Sequence, residues 1–166
     1  MITVDPASKF LYLKHLMKIV ARFWVLLLFL VPTFSQAASW TEEGKAFLEK
    51  NKNRPGVTTT ESGLQYRVMI KGEGPKPTRF SRVAVYYTGT LHDGTMFDSA
   101  PIIRPPVEFR VDRVIKGWTE ALMLMPEGSM WEVVIPSELA YGPRGSGRSV
   151  PPNSVLIFEV ELVEIR

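Results

Sequence analysis

The chain has 166 residues, 45% of them apolar and none of them cysteine, with 20 Lys+Arg against 17 Asp+Glu for a formal net charge of +3. That length suits one compact domain behind a targeting segment, and the missing cysteines exclude disulfides, thiol catalysis and iron–sulfur clusters. The basic excess is confined to the N-terminus, where Lys9, Lys14, Lys18 and Arg22 stand against Asp5; from Ala38 onward sixteen basic residues meet sixteen acidic ones, so no nucleic-acid partner is expected.

Residues 1–37 have the layout of a secretory signal, with a basic stretch ending at Arg22, an apolar run over 23–31 and small residues in Ser35-Gln-Ala37. Cleavage is expected after Ala37. Residues 23–34 are short for a hydrocarbon layer of about 30 Å, so no stable membrane insertion is expected once the signal is removed. The alternative is an uncleaved N-terminus that anchors the chain to a membrane.

A short helix is expected over 39–52, opened by a capping box in Ser39-Trp-Thr-Glu42, weakened by Gly44 and stopped by Asn53-Arg-Pro-Gly56. Val57-Thr-Thr-Thr60 then reads as a polar linker. The remainder is mostly β: Leu64, Tyr66, Val68 and Ile70 alternate, as do Val83, Val85 and Tyr87, then Trp131, Val133 and Ile135, and last Leu156, Phe158, Val160 and Leu162. Each set marks one buried face. Between them, residues 117–125 place Trp118, Ala121, Leu122 and Met125 on one helical face, ended by Pro126 and Gly128. This helix is the available cover for the apolar side of the sheet. The stretch Ala100-Pro-Ile-Ile-Arg-Pro-Pro106 is apolar and rich in proline.

Beyond the expected signal, His92 is the sole histidine, and it adjoins the turn residues Asp93-Gly94, so it reads as a solvated turn residue. One such histidine without cysteine supplies neither a Ser-His-Asp triad nor a His/Cys metal site, and no metal or cofactor is expected. Asp98 has no second acid in its motif for paired-carboxylate hydrolysis. Gly142-Pro-Arg-Gly-Ser-Gly147 lacks the Gly-Lys-Ser/Thr ending of a phosphate loop.

What remains is an aromatic and aliphatic set around one acid: Tyr87, Phe97, Asp98, Val114, Ile115, Trp118, Tyr141 and Phe158. Such residues at alternating positions read as ordinary core. A solid core would nevertheless bury two tyrosine hydroxyls and a carboxylate, each in need of a partner. A ring-walled pocket with a few fixed polar groups meets that need better.

The segments Val85-Tyr-Tyr-Thr-Gly89, Asp93-Gly-Thr-Met-Phe-Asp-Ser99, Val114-Ile-Lys-Gly-Trp118, Ile135-Pro-Ser-Glu-Leu-Ala-Tyr-Gly142 and Val150-Pro-Pro-Asn-Ser-Val-Leu-Ile-Phe-Glu-Val-Glu-Leu162 together resemble the FKBP-type peptidyl-prolyl cis-trans isomerase family in its exported bacterial form. The resemblance implies an α+β fold, a curved antiparallel five-stranded sheet wrapped around one short helix. The isomerase domain would span 62–166, after a signal peptide (1–37) and a short N-terminal helix with linker (38–61). It also implies catalysis of X-Pro rotation in proline-containing polypeptides during folding of exported, most naturally periplasmic, proteins, and affinity for a rapamycin-type macrolide.

By the same resemblance Trp118 is the pocket floor and Tyr87, Phe97, Val114, Ile115 and Phe158 are walls. The Ile115 N–H and the Tyr141 hydroxyl hold substrate carbonyls, and Asp98 presents a polar edge tied to Tyr87. Val107 is a wall residue smaller than the Phe of some members, and Val150 lies in an overhanging loop with Ser146 and Ser149. An alternative function is a holdase-type chaperone that grips unfolded chains through the apolar loop 101–106 with little catalysis.

Overall fold

The computed structural model describes residues 34–166, with side chains from Trp40 onward; the expected signal segment before Phe34 lies outside the described residues. Seven antiparallel strands form one sheet: β1 (Val57–Thr59), β2 (Gln65–Ile70), β3 (Arg82–Leu91), β4 (Met96–Ala100), β5 (Val107–Arg110), β6 (Met130–Ile135) and β7 (Leu156–Ile165). Helix α1 (Phe34–Asn51) precedes the sheet, and α2 (Lys116–Leu124) falls between β5 and β6. The order across the sheet is β1-β2-β6-β7-β3-β4, with β5 also paired to β3.

Among the described residues seven strands stand where five were expected. Residues 57–59, expected as linker, pair with Arg67, Tyr66 and Gln65 and extend one edge. At the other edge β4 runs beside Tyr87 to Thr90 of β3, and β5 beside Arg82 to Val85. They are two halves of one interrupted edge, because Pro101, Pro105 and Pro106 between them bring no amide N–H to a ladder.

The central pairing of β3 with β7 runs from Val83↔Ile165 to Leu91↔Leu156. Strand alternation puts Val83, Val85, Trp131, Val133, Ile135, Leu156, Phe158, Val160 and Leu162 on one side, where all are buried. Helix α2 covers that side with Trp118, Ala121 and Leu122, and Met125 at its end joins the same core. Beyond Met125, Pro126 has no N–H with which to continue the helix. The far end of β2 runs off this cover, and Val68 and Ile70 are exposed despite their alternation.

Helix α1 starts at Phe34, so the start expected at Ser39 and its capping box are corrected: Ser39 to Glu42 lie inside the helix. Gln36, Ala37 and Ala38 are good helix formers, and nothing in them breaks the helix. Gly44, expected to weaken the helix, is what lets it sit close, since a Cβ there would fall 2.9 Å from Cγ2 of Val155. Within this helix Trp40 packs over the turn after β3. His92, expected to be solvated, is instead packed edge-on under the Trp40 indole, with ring centroids 4.6 Å apart, beside Phe47, and its Nε2 is 3.3 Å from Glu43 Oε2.

The end of α1 is joined to the sheet by a buried polar relay. Asn51, 2% exposed, donates from Nδ2 to Gln65 Oε1 (2.8 Å), Gln65 Nε2 donates to the Leu48 carbonyl (3.0 Å), and Arg54 donates to Asn51 Oδ1 (2.7 Å). Removing one member strands its partner away from water. Asn51→Ala is therefore expected to lower stability by about 1–3 kcal/mol, read as an earlier urea midpoint at an unchanged m-value.

Candidate active site

A cavity of about 460 Å3 opens where the start of α2 meets β3, β4, β5 and β7. Trp118 lies at its base, presented by the first turn of α2 and almost wholly buried. Three rings stand nearly upright on the indole: Tyr87 at 5.2 Å and 86°, Phe158 at 5.2 Å and 88°, and Phe109 at 5.6 Å and 74°. Phe97 continues the wall edge-on to Phe158 at 5.5 Å. Perpendicular pairs of this kind set the positive edge of one ring against the negative face of the next, so the walls hold the floor in place.

The packing that makes this cup depends on Gly89, which pairs with Phe158 on one side and Asp98 on the other. A Cβ at Gly89 would lie 2.8 Å from Cε1 of Phe158 and 2.8 Å from Cζ of Phe97. Both rings occupy space that any other residue would take.

Polar groups are few. The Tyr87 hydroxyl donates to Asp98 Oδ2 at 2.8 Å, and Asp98 Oδ1 accepts the Ser99 N–H at 2.9 Å. Burial first, then the hydrogen bond to Asp98, and then the nearby Asp98 and Tyr141 groups push the Tyr87 phenol well above its ordinary range. A phenol is a donor at neutral pH in any case, and the shift extends that state further into alkaline solution. The Tyr141 side chain is exposed at the rim, and its hydroxyl has no partner among the described residues. Ile115 is the N-cap of α2, and its N–H donates to no group among the described residues, as the geometry of a helix start requires.

Of the residues named from sequence, Tyr87, Phe97, Asp98, Val114, Ile115, Trp118, Tyr141 and Phe158 all border this cavity. Val107 does not; it is 39% exposed and sits opposite Val85 in the β3–β5 ladder, and the wall from β5 is Phe109 instead. Val150 does not border it either. It is 5% exposed within the core, and its paired hydrogen bonds with Ser146 (2.9 and 3.1 Å) make it the anchor of the 146–150 loop. Phe109 and Arg113 line the cavity and were missed. Alternation along 107, 109 and 111 was the signal for Phe109, and Arg113 abuts the Val114-Ile115 pair. Among the described residues no group of three or more His, Cys, Asp or Glu side chains is placed to hold a metal.

Among the described residues, a single antiparallel sheet covered by one short helix, with an aromatic cup at the helix start and one acid tied to a tyrosine, defines an α+β protein with a ring-walled pocket. Comparison with known proteins gives the family. A family model described as FKBP-type peptidyl-prolyl cis-trans isomerase matches residues 74–163, and one described as the domain amino terminal to it matches 33–68. The chain belongs to the FKBP-type peptidyl-prolyl cis-trans isomerase family.

It is 59% identical over 123 residues to the FKBP-type 22 kDa peptidyl-prolyl cis-trans isomerase of Escherichia coli, covering 74% of this chain and 60% of that protein. It is 51% identical over 124 residues to the outer membrane protein MIP of Legionella longbeachae, covering 75% of this chain and 53% of that one. The chain thus spans little more than half the length of these curated relatives. Among solved structures, a peptidyl-prolyl cis-trans isomerase from Pseudomonas syringae pv. tomato superposes with a TM-score of 0.74 at 39% identity, over 81% of this chain and 98% of that one. FkpA from Escherichia coli superposes with a TM-score of 0.76 at 35% identity, over 99% and 74%.

Gly89→Ala is expected to force Phe97 and Phe158 apart, costing about 1–3 kcal/mol of stability by overpacking. Urea unfolding measures the loss, and a changed near-ultraviolet circular dichroism of the ring cluster reports the displaced walls.

Proposed function

We propose that this protein is a peptidyl-prolyl cis-trans isomerase acting on proline-containing polypeptides, and that it serves the folding of exported proteins, most naturally in the periplasm. The observation that carries the reading is the Trp118 floor with upright ring walls around an open, largely apolar volume. A prolyl ring is a compact apolar body suited to that volume, and its preceding amide is the bond to be turned.

Rotation about that bond has a barrier of about 18–20 kcal/mol, because resonance gives the C–N bond double-bond character. Twisting removes the resonance and with it part of the charge separation between oxygen and nitrogen. A site that excludes water therefore favours the twisted form over the planar one, and no bond is made or broken. A million-fold acceleration asks for about 8 kcal/mol, shared among desolvation, ring packing and a few hydrogen bonds. In this reading the Ile115 N–H and the Tyr141 hydroxyl receive substrate carbonyls, while Asp98, held by Tyr87, faces the twisting amide electrostatically. Phe109 takes the wall role first expected of Val107. The same cup would admit a rapamycin-type macrolide, whose prolyl-like amide is already twisted, and such a compound would compete with peptide.

The test is an isomerisation assay on tetrapeptides with proline preceded by varied residues. Loss of one neutral hydrogen bond is worth about 0.5–1.5 kcal/mol, and of one to a charged group about 1.5–3 kcal/mol. Tyr141→Phe should then lower kcat/KM about two- to tenfold and Asp98→Ala about ten- to a hundredfold. Rates no faster than the uncatalysed tens to hundreds of seconds would end the proposal.

A second reading, a holdase-type chaperone with little catalysis, is favoured by Ile102 and Ile103, which are 70% and 86% exposed in the loop between β4 and β5. Adjacent aliphatic side chains held in water mark a contact surface. Aggregation suppression separates the two: Ile102→Ser with Ile103→Ser should abolish it under this reading, and Trp118→Ala under the first. No helix among the described residues is long and apolar enough to cross a membrane, and residues 1–33 carry the basic and apolar stretches on which the proposal of export rests.

A further inference from the structure

Among the described residues the cavity lining holds one cation, Arg113, and no carboxylate pairs with it directly. Arg113, exposed at the end of the 3-10 turn Val111–Arg113 and next to the wall residue Val114, borders the cavity. Among the described residues it makes no ion pair and no hydrogen bond. Its sequence neighbour Asp112 is the obvious partner, but both Asp112 oxygens are engaged by Arg110, whose Nε and Nη2 donate at 3.0 and 2.9 Å. Arg113 reaches Asp112 only through space. Asp98, the one acid in the lining, has an oxygen held by the Tyr87 hydroxyl and the other by the Ser99 N–H. Lys116, exposed at the first residue of α2, adds a second positive charge beside Arg113 in the chain and is likewise without an ion pair among the described residues.

We propose that Arg113 is a specificity-determining residue of this site, reading an acidic side chain that flanks the substrate proline. The inference rests on the isomerase reading and deepens it. A peptide seated on Trp118 carries its neighbouring side chains out over the rim, where a guanidinium with all five donors unused meets them. An arginine held short of its own carboxylates is set up to accept one from a ligand, in the bidentate geometry that guanidinium and carboxylate share. Because the contact is exposed to water, its effect is modest and screened by salt.

The experiment compares tetrapeptides that differ only in carrying Glu or Gln next to proline, one pair with the variable residue before it and one with it after. The quantity read is the ratio of kcat/KM for Glu over Gln within each enzyme, so any general loss caused by a variant cancels. The native protein should favour Glu about two- to fivefold at low ionic strength in at least one pair, with the ratio falling toward one in high salt. Arg113→Gln should bring the ratio to one, Arg113→Lys should keep most of it, and Arg113→Glu should invert it and favour a Lys peptide. A native ratio of one in both pairs, or a Glu preference that survives Arg113→Gln, overturns the assignment while leaving the isomerase reading standing. Absence of turnover with every peptide overturns both.

Discussion

The structure depends on the placement of one indole. Trp118 is part of the core that seals α2 against the sheet, and the same ring is the floor of the cavity. Its position is set from below by the helix and from the sides by Tyr87, Phe109 and Phe158, each within 6 Å and close to perpendicular. A floor that floated would let water in or close the cup; a floor wedged among upright rings does neither. Stability and site geometry are therefore coupled through the same contacts, and a loosened core is also a loosened pocket.

The poverty of polar groups around that floor suits the proposed chemistry. Rotation about an amide transfers no proton and forms no covalent intermediate, so a site for it needs no nucleophile, metal or base. It needs a dry volume of the right shape and a small number of fixed dipoles. The Tyr87–Asp98 hydrogen bond meets that description: the phenol donates to the acid and orients it, and burial with Asp98 raises the phenol's resistance to ionisation. Helix α1 stands apart from this site and has its own attachments, a Gly44 contact, the His92 stack and the Asn51–Gln65 relay. Those attachments tie the amino-terminal helix to the domain by packing and hydrogen bonds.

Much of the fold was legible because it follows from local periodicity. Alternation in β3, β6 and β7 and the spacing of Trp118, Ala121 and Leu122 in α2 identify the apolar faces without tertiary information. The five motif segments that resemble the family carried Trp118, Tyr87, Asp98 and Tyr141 to one place. The errors share a cause. Val107 and Phe109 lie on the same side of β5 by alternation, and only the folded protein shows one exposed and the other against Trp118. Val150 is apolar in a polar loop, and only its burial in the folded core shows that it is not a pocket residue. His92 sits in a turn sequence, and only α1, arriving from residues far earlier in the chain, buries it.

The sequence by itself determined which side chains share a face of each element, because that is decided within a few residues by helix and strand geometry. Tertiary structure alone decided which of those apolar faces are filled and which are left hollow, and whether a charged neighbour such as Arg113 keeps its partners. Coverage is a property of two elements meeting, and neither element encodes it alone.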